Sequence, residues 1–337
     1  MSRWGGGPGS QVMRRRAFIS GALTAFAPLL AAEGQQSGKV WRIGYLSNSG
    51  GASEPDAAFF RALRDIGYSE GRNISINRYY AAGKVDGFQE AARALVASGV
   101  DLIAAWGPPA TIAARQATES TPIVGIGIGS PIEMAWVGNI ARPQGNITGL
   151  LLFPADEYLN VKRLEMLREA VPTATRIGAV SSPGPAADVS MTSLRAVARP
   201  LKTEVQLFTV TGPSDFETTF AEMKKRSVTG ILVLPDAMLW SYRADIVRLA
   251  AKAHLPTAYW SRDFVDVGGF FSYAASLSDL GRRAASYIDK LIRGSKPSDL
   301  PVEQPTRFEF VINLQTARAL GLTIPPSLLL RADQVIE

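Results

Sequence analysis

The chain has 337 residues and a formal charge of +6 from 36 Lys and Arg against 30 Asp and Glu, with one histidine and no cysteine. These counts exclude disulfides, thiolate catalysis, Cys-ligated metal and a lipid anchor built on cysteine, and they leave a histidine metal site or a Ser-His-Asp triad without material.

Residues 1–34 read as an export signal: Arg14, Arg15 and Arg16 precede a mostly apolar run from Ala17 to Ala32, and small residues follow up to Gly34. The run is short for a membrane span, which needs roughly 20 apolar residues. Arg15-Arg16-Ala17-Phe18 also fits the core of a twin-arginine signal. Four arginines against Glu33 take half the net charge away with the leader. The remaining 303 residues suit two lobes rather than one core, and their modest charge gives no argument for nucleic acid.

Beyond the leader, short β-rich runs alternate with amphipathic helices, the pattern of an α/β protein with parallel sheets. Strands are expected at Val40–Ser47, Ile74–Tyr80, Leu102–Trp106, Pro122–Ile128, Arg176–Ser181, Glu204–Val210, Gly230–Leu234 and Pro256–Trp260. Phe59, Ala62, Leu63 and Ile66 recur at helical spacing before Gly67. Phe88, Ala91, Ala92, Leu95 and Val96 do the same after a capping Asp86. Both stripes read as core. A divide falls near Gly145–Gly149, before a helix from Asp156 to about Val171, and the character changes again at Gly268–Tyr273, before a helix over Leu280–Arg293. Asp215 and Glu217 sit in helix-start positions, and His254 lies at a helix end.

Ligands of open parallel sheets sit where loops leave the carboxyl ends of strands. Ser47–Ser53 (Ser-Asn-Ser-Gly-Gly-Ala-Ser) offers small hydroxyls and a helix start, as a seat for an anion or as an ordinary turn with a serine N-cap; Asn48 and Ser49 are its candidates. Trp106, Gly107, Pro109 and Thr111 would supply an aromatic wall and a hydroxyl. Gly125-Ile126-Gly127-Ile128-Gly129-Ser130-Pro131 is not a dinucleotide loop, because G-x-G-x-x-G needs glycine where Ser130 stands. Ser130 is itself a ligand candidate. Asp236, Tyr259, Arg262 and Tyr273 would enclose an apolar ligand bearing a charged group, with core aromatics and a structural Arg–Asp pair as the other reading. Trp106→Ala or Tyr259→Ala is expected to weaken binding and leave the fold intact. No P-loop, G-x-S-x-G or H-E-x-x-H motif is present, and neither a cofactor nor catalysis is expected.

Several blocks together carry a resemblance: Gly67–Ile74 (GYSEGRNI), Ala141–Leu150 (ARPQGNITGL), Arg262–Gly269 (RDFVDVGG), Lys296–Pro305 (KPSDLPVEQP), Val311–Leu314 (VINL) and Ala319–Pro325 (ALGLTIP). From Val40 to Glu337 the chain resembles the ABC transporter substrate-binding proteins related to the tryptophan- and tyrosine-binding receptors, in the type I periplasmic binding protein superfamily. The resemblance implies an α/β fold of two similar Rossmann-like lobes joined by a three-crossing hinge. The first lobe would take 39–149 and about 272–305, the second 150–271 and about 306–337. It also implies a small-molecule ligand, an amino acid or aromatic carboxylate foremost, clamped between the lobes. The partners would be ABC permease and ATPase subunits at the inner membrane, with no nucleic acid, and the protein would be a periplasmic monomer. A receptor reporting to a sensor is the alternative role, and an enzyme on this scaffold a remoter one. Where the family pattern has aspartate, glycine and often tyrosine, this chain has Ser130, Ala274 and Gly281.

Overall fold

The computed structural model describes residues 39–337 apart from 50, 52, 82–86, 130 and 154–157. The expected export signal, the Asp86 cap and the start of the helix expected from Asp156 lie outside the described residues.

The first lobe alternates β1 (Trp41–Ser47), α1 (Glu54–Asp65), β2 (Ile74–Tyr80), α2 (Phe88–Ala97), β3 (Leu102–Trp106), α3 (Gly107–Ala117), β4 (Ile123–Ile128), α4 (Pro131–Val137) and β5 (Ile147–Leu151). Its strands pair in parallel in the order β2-β1-β3-β4-β5. Successive side chains alternate faces: Leu102, Ala104 and Trp106 enter one apolar cluster, Ile103 and Ala105 the other. Burial on both faces is what a parallel sheet requires, since its crossover helices cover both.

The second lobe begins with α5 (Tyr158–Ala170) and continues through β6 (Arg176–Ser181), α6 (Pro185–Ala198), β7 (Glu204–Thr209), α7 (Phe216–Lys225), β8 (Gly230–Val233), α8 (Ala237–Ser241), α9 (Arg243–Lys252), β9 (Thr257–Tyr259), α10 (Arg262–Asp266) and β10 (Phe271–Ala275). The chain then returns to the first lobe as α11 (Leu277–Ile292), whose Leu280, Ala284 and Ile288 share a cluster with Phe59 and Leu63 of α1. It crosses back into β11 (Phe308–Asn313), α12 (Leu314–Ala319), α13 (Pro326–Leu329) and β12 (Gln334–Ile336). The second sheet runs β12-β11-β10-β9-β8-β6-β7. It is parallel except where β10 meets β11. That pair is antiparallel because β10 leaves for the first lobe and β11 returns from it at the same edge.

The chain therefore passes between the sheets three times, after β5, after β10 and before β11. Two of the expected boundaries move. Residues 150–151 complete β5 in the first sheet, and residues 272–275, assigned to the first lobe from sequence, belong to the second sheet, because Phe271–Ala275 pairs with Phe308–Ile312. The last two passages are fastened to each other. Ser276 N donates to Arg307 O at 2.9 Å, while Arg283 of α11 donates to Glu303 Oε2 at 2.6 Å and to Gln304 O at 3.1 Å.

Gly125 and Gly127 lie within strand β4, and Gly129 directly follows it. Gly127 takes φ +87° where the register against β5 shifts between Ile126 and Ile128. A Cβ on Gly149 would stand 2.0 Å from Gly125 O, so the backbones approach too closely for side chains there.

Candidate functional site

The carboxyl ends of the two sheets meet around Phe153 and Trp260. Phe153, just past β5, packs edge to face on Trp260, just past β9, with ring centroids 5.8 Å apart. A Cβ on Gly129, at the end of β4, would stand 3.3 Å from the Phe153 ring. Trp260 also contacts Phe264 of α10, and its indole N–H is buried without a hydrogen-bond partner.

On the first lobe, the loop after β1 is built around a carboxylate. Asp56, 1% exposed, accepts from Ser47 Oγ at 3.0 Å, Ser49 Oγ at 2.7 Å, Ser53 Oγ at 2.6 Å and Ser53 N at 3.0 Å, and from the Tyr45 hydroxyl. Ser53 caps α1 and forms a reciprocal capping box with Asp56. Burial, and then the Asp56 charge, hold the Tyr45 hydroxyl far above its ordinary pKa. The seat for an external anion expected here is thus corrected: the loop's hydroxyls and the start of α1 already hold an internal anion. Asn48 keeps a buried amide oxygen with no partner.

Trp106 ends β3, 8% exposed, and lies among the core side chains of α1 and α11. Its indole N–H is buried without a hydrogen-bond partner. Gly107 and Pro109 open α3 at partial exposure. Thr111 is fully buried and donates to Gly107 O at 3.0 Å, so its hydroxyl serves the helix. Ser130 lies outside the described residues.

The second-lobe candidates divide. Tyr259 is 1% exposed and stacked on Phe264 at 4.8 Å inside an apolar cluster, with burial raising its hydroxyl pKa. It is a core aromatic and not a cleft wall. Asp236 caps α8 by accepting from Leu239 N at 2.9 Å. Arg262 is held 3.3 Å from both Asp266 Oδ1 and Glu309 Oε1, so its charge is already answered. Tyr273 is half-buried beside Phe308, and its hydroxyl is pushed up to about 12 by burial and by the neighbouring Tyr158.

Sequence reasoning passed over several residues that shape this region. Asp56 was signalled by the Ser53-Glu54-Pro55-Asp56 spacing of a capping box. Arg163, 1% exposed on α5, donates to Tyr273 O at 2.7 Å and to Asn160 Oδ1 at 2.6 Å, and Asn160 donates to Ser190 Oγ at 3.1 Å. A buried arginine inside an amphipathic helix carries no sequence signal. Phe153 sits in a short loop and carries none either. Trp136 of α4 packs against the first-lobe core.

Among the described residues no group of His, Asp and Glu is arranged to hold a metal, and no helix is long and apolar enough to cross a membrane.

A family model described as ABC transporter substrate binding protein matches residues 52–336. The tyrosine-binding protein of Clostridioides difficile (strain R20291) is 25% identical over 266 residues, 78% of this chain and 75% of that protein. An ABC domain from Streptococcus pneumonia, solved in complex with L-Trp, superposes with a TM-score of 0.75 at 26% identity, over 88% of this chain and 100% of that one. A conserved domain protein from Vibrio cholerae o1 biovar eltor gives a TM-score of 0.74 at 24% identity over the same shares, a likeness of fold.

Proposed function

The chain belongs to the ABC transporter substrate binding protein family, and from that premise we propose that it captures an amino acid with an aromatic side chain between its two lobes and delivers it to an importer. The observation that carries the reading is the meeting of Phe153 and Trp260 across the lobes, with the Trp260 N–H buried and unpartnered; on the loop after β1, Asn48 Oδ1 is unpartnered as well. A buried polar atom without a partner costs about 1–3 kcal/mol, a deficit that a bound ligand removes. Aromatic walls with a few placed polar groups are how small organic ligands are held. The related proteins named for tyrosine and solved with L-Trp support the same substrate class.

In this reading the three passages between the sheets are the hinge. Ligand binds the closed arrangement better and shifts the population toward it. The protein acts outside the cytoplasm after export, as a monomer, with permease and ATPase subunits as partners, and performs no chemistry on its ligand.

The test is a thermal-shift and calorimetric screen with L-tryptophan, L-tyrosine, L-phenylalanine and the branched amino acids. A saturable rise in melting temperature with the aromatic set is expected, since binding to the native state alone stabilises it by mass action. A shift only with sugars or other solutes lacking an amino acid group would sink the substrate class.

A further inference from the structure

Four helix starts that follow strand ends, those of α1, α4, α8 and α10, carry their own anions. After β1, Asp56 occupies the start of α1. After β4, Glu133 accepts from Gly129 N at 3.1 Å. After β8, Asp236 caps α8. After β9, Asp263 at the start of α10 accepts from Ser261 Oγ at 2.9 Å and the Trp240 indole at 2.6 Å. The helix after β3 opens Gly107-Pro108-Pro109, and two prolines remove two N–H donors from its first turn. A helix start receives a ligand anion through free N–H groups and its dipole; in these places a carboxylate already stands or two donors are missing. Arg262, the cation expected to receive a carboxylate, is engaged by Asp266 and Glu309.

What the first lobe offers instead is an acceptor. Asn48 lies between Ser47 and Ser49, whose hydroxyls stand 3.0 Å and 2.7 Å from the two Asp56 oxygens. Ser49 Oγ also lies 2.6 Å from Gly51 O, and the two serine oxygens stand 3.0 Å apart, so the turn is pinned on both sides of Asn48. Its buried Oδ1 has no partner. No cation is hydrogen-bonded to Asp56 among the described residues; its donors are hydroxyls and a backbone N–H.

We propose that Asp56 is a positioning residue that turns the first-lobe wall into a seat for the amino end of the ligand. It fixes the serines that present Asn48 Oδ1 and places a negative charge behind that oxygen. A ligand ammonium donates to Asn48, gains from the field of Asp56, and leaves its carboxylate to the second lobe or to backbone donors. This deepens the proposed function and rests on it.

The test is calorimetry of the full chain with three ligand sets. L-Tryptophan and L-tyrosine carry both groups; tryptamine and tyramine keep the amine alone; indole-3-propionate and 3-(4-hydroxyphenyl)propionate keep the carboxylate alone. Removing the amine is expected to weaken binding about tenfold or more beyond removing the carboxylate, the scale of a hydrogen bond to a charged group. Asn48→Ala is expected to lose about tenfold for every amine-bearing ligand and nothing for the acids. Asp56→Asn, checked for folding by circular dichroism, should narrow the preference for amines. Because that change disturbs a buried network, the wild-type ligand series decides. Acids that bind as well as or better than the amines overturn the inference and leave the proposed function standing. A panel extended to branched-chain amino acids, amines and acids that binds nothing removes both.

Discussion

Phe153 and Trp260 lie 107 positions apart in sequence and meet edge to face at 5.8 Å, one from each lobe. The pair is a direct aromatic contact between the two sheets' carboxyl ends. Such a contact is worth about 0.5–1.5 kcal/mol beyond burial. Phe153→Ala should therefore weaken ligand binding by about two- to tenfold, read by calorimetry. An unchanged dissociation constant would place the pair outside closure.

Arg283 reaches from α11 to the third passage, donating to Glu303 and Gln304. Both partners of the ion pair keep some solvent access, so Arg283→Met should cost about 1 kcal/mol of stability in urea unfolding. Burial works to raise the Glu303 pKa, but the hydrogen bond and charge of Arg283, with the Tyr287 hydroxyl nearby, outweigh it and hold the carboxyl below its ordinary value. A depressed folded-state pKa gives stability that is present above the unfolded value, about 4.3, and is lost as pH falls through the folded value. The melting-temperature gap between wild type and Glu303→Gln should be constant near neutrality and close below about pH 4. A gap that widens on acidification would contradict the assignment.

Tyr259 is stacked on Phe264 inside the second-lobe core. Tyr259→Ala should remove about 3–5 kcal/mol of stability, the cost of emptying a buried aromatic site. Tyr259→Phe should change stability and affinity little. Chemical denaturation of the two variants separates this from a role in ligand contact, since loss of affinity in Tyr259→Phe with stability intact would restore the cleft reading.

Gly281 lies where α11 approaches the α1 backbone closely. A Cβ there would stand 2.6 Å from Pro55 O and 3.3 Å from Phe59 N. Gly281→Ala should push the helices apart and cost about 1–3 kcal/mol despite alanine's better helix propensity. A stabilised variant would show that α1 moves at no cost. The tyrosine often found at this position in the family pattern has no room in this arrangement of the two helices.

The strands legible in the sequence were those whose signal is local. Ile74–Tyr80, Leu102–Trp106 and Arg176–Ser181 have the same bounds in the fold as in the sequence reading. Short apolar runs bounded by turns identify buried parallel strands without reference to their partners. β5, β10, β11 and β12 were not identified as strands. β11 pairs with β10 and β12 only after the chain has visited the first lobe, and no local pattern encodes that return.

The candidate site divides along the same physical line. Residue type and spacing alone determined an α/β chain, a strand-end location for the polar loops and a capping serine at Ser53, because helix caps and apolar periodicity act within a few residues. Tertiary structure decided what each side chain is free to do. It gave the serine hydroxyls to Asp56, answered Arg262 with Glu309 from a strand 47 residues on, buried Tyr259, and left Asn48 Oδ1 without a partner. Hydrogen bonds and burial are settled by which groups meet in space, and those meetings depend on the path of the whole chain.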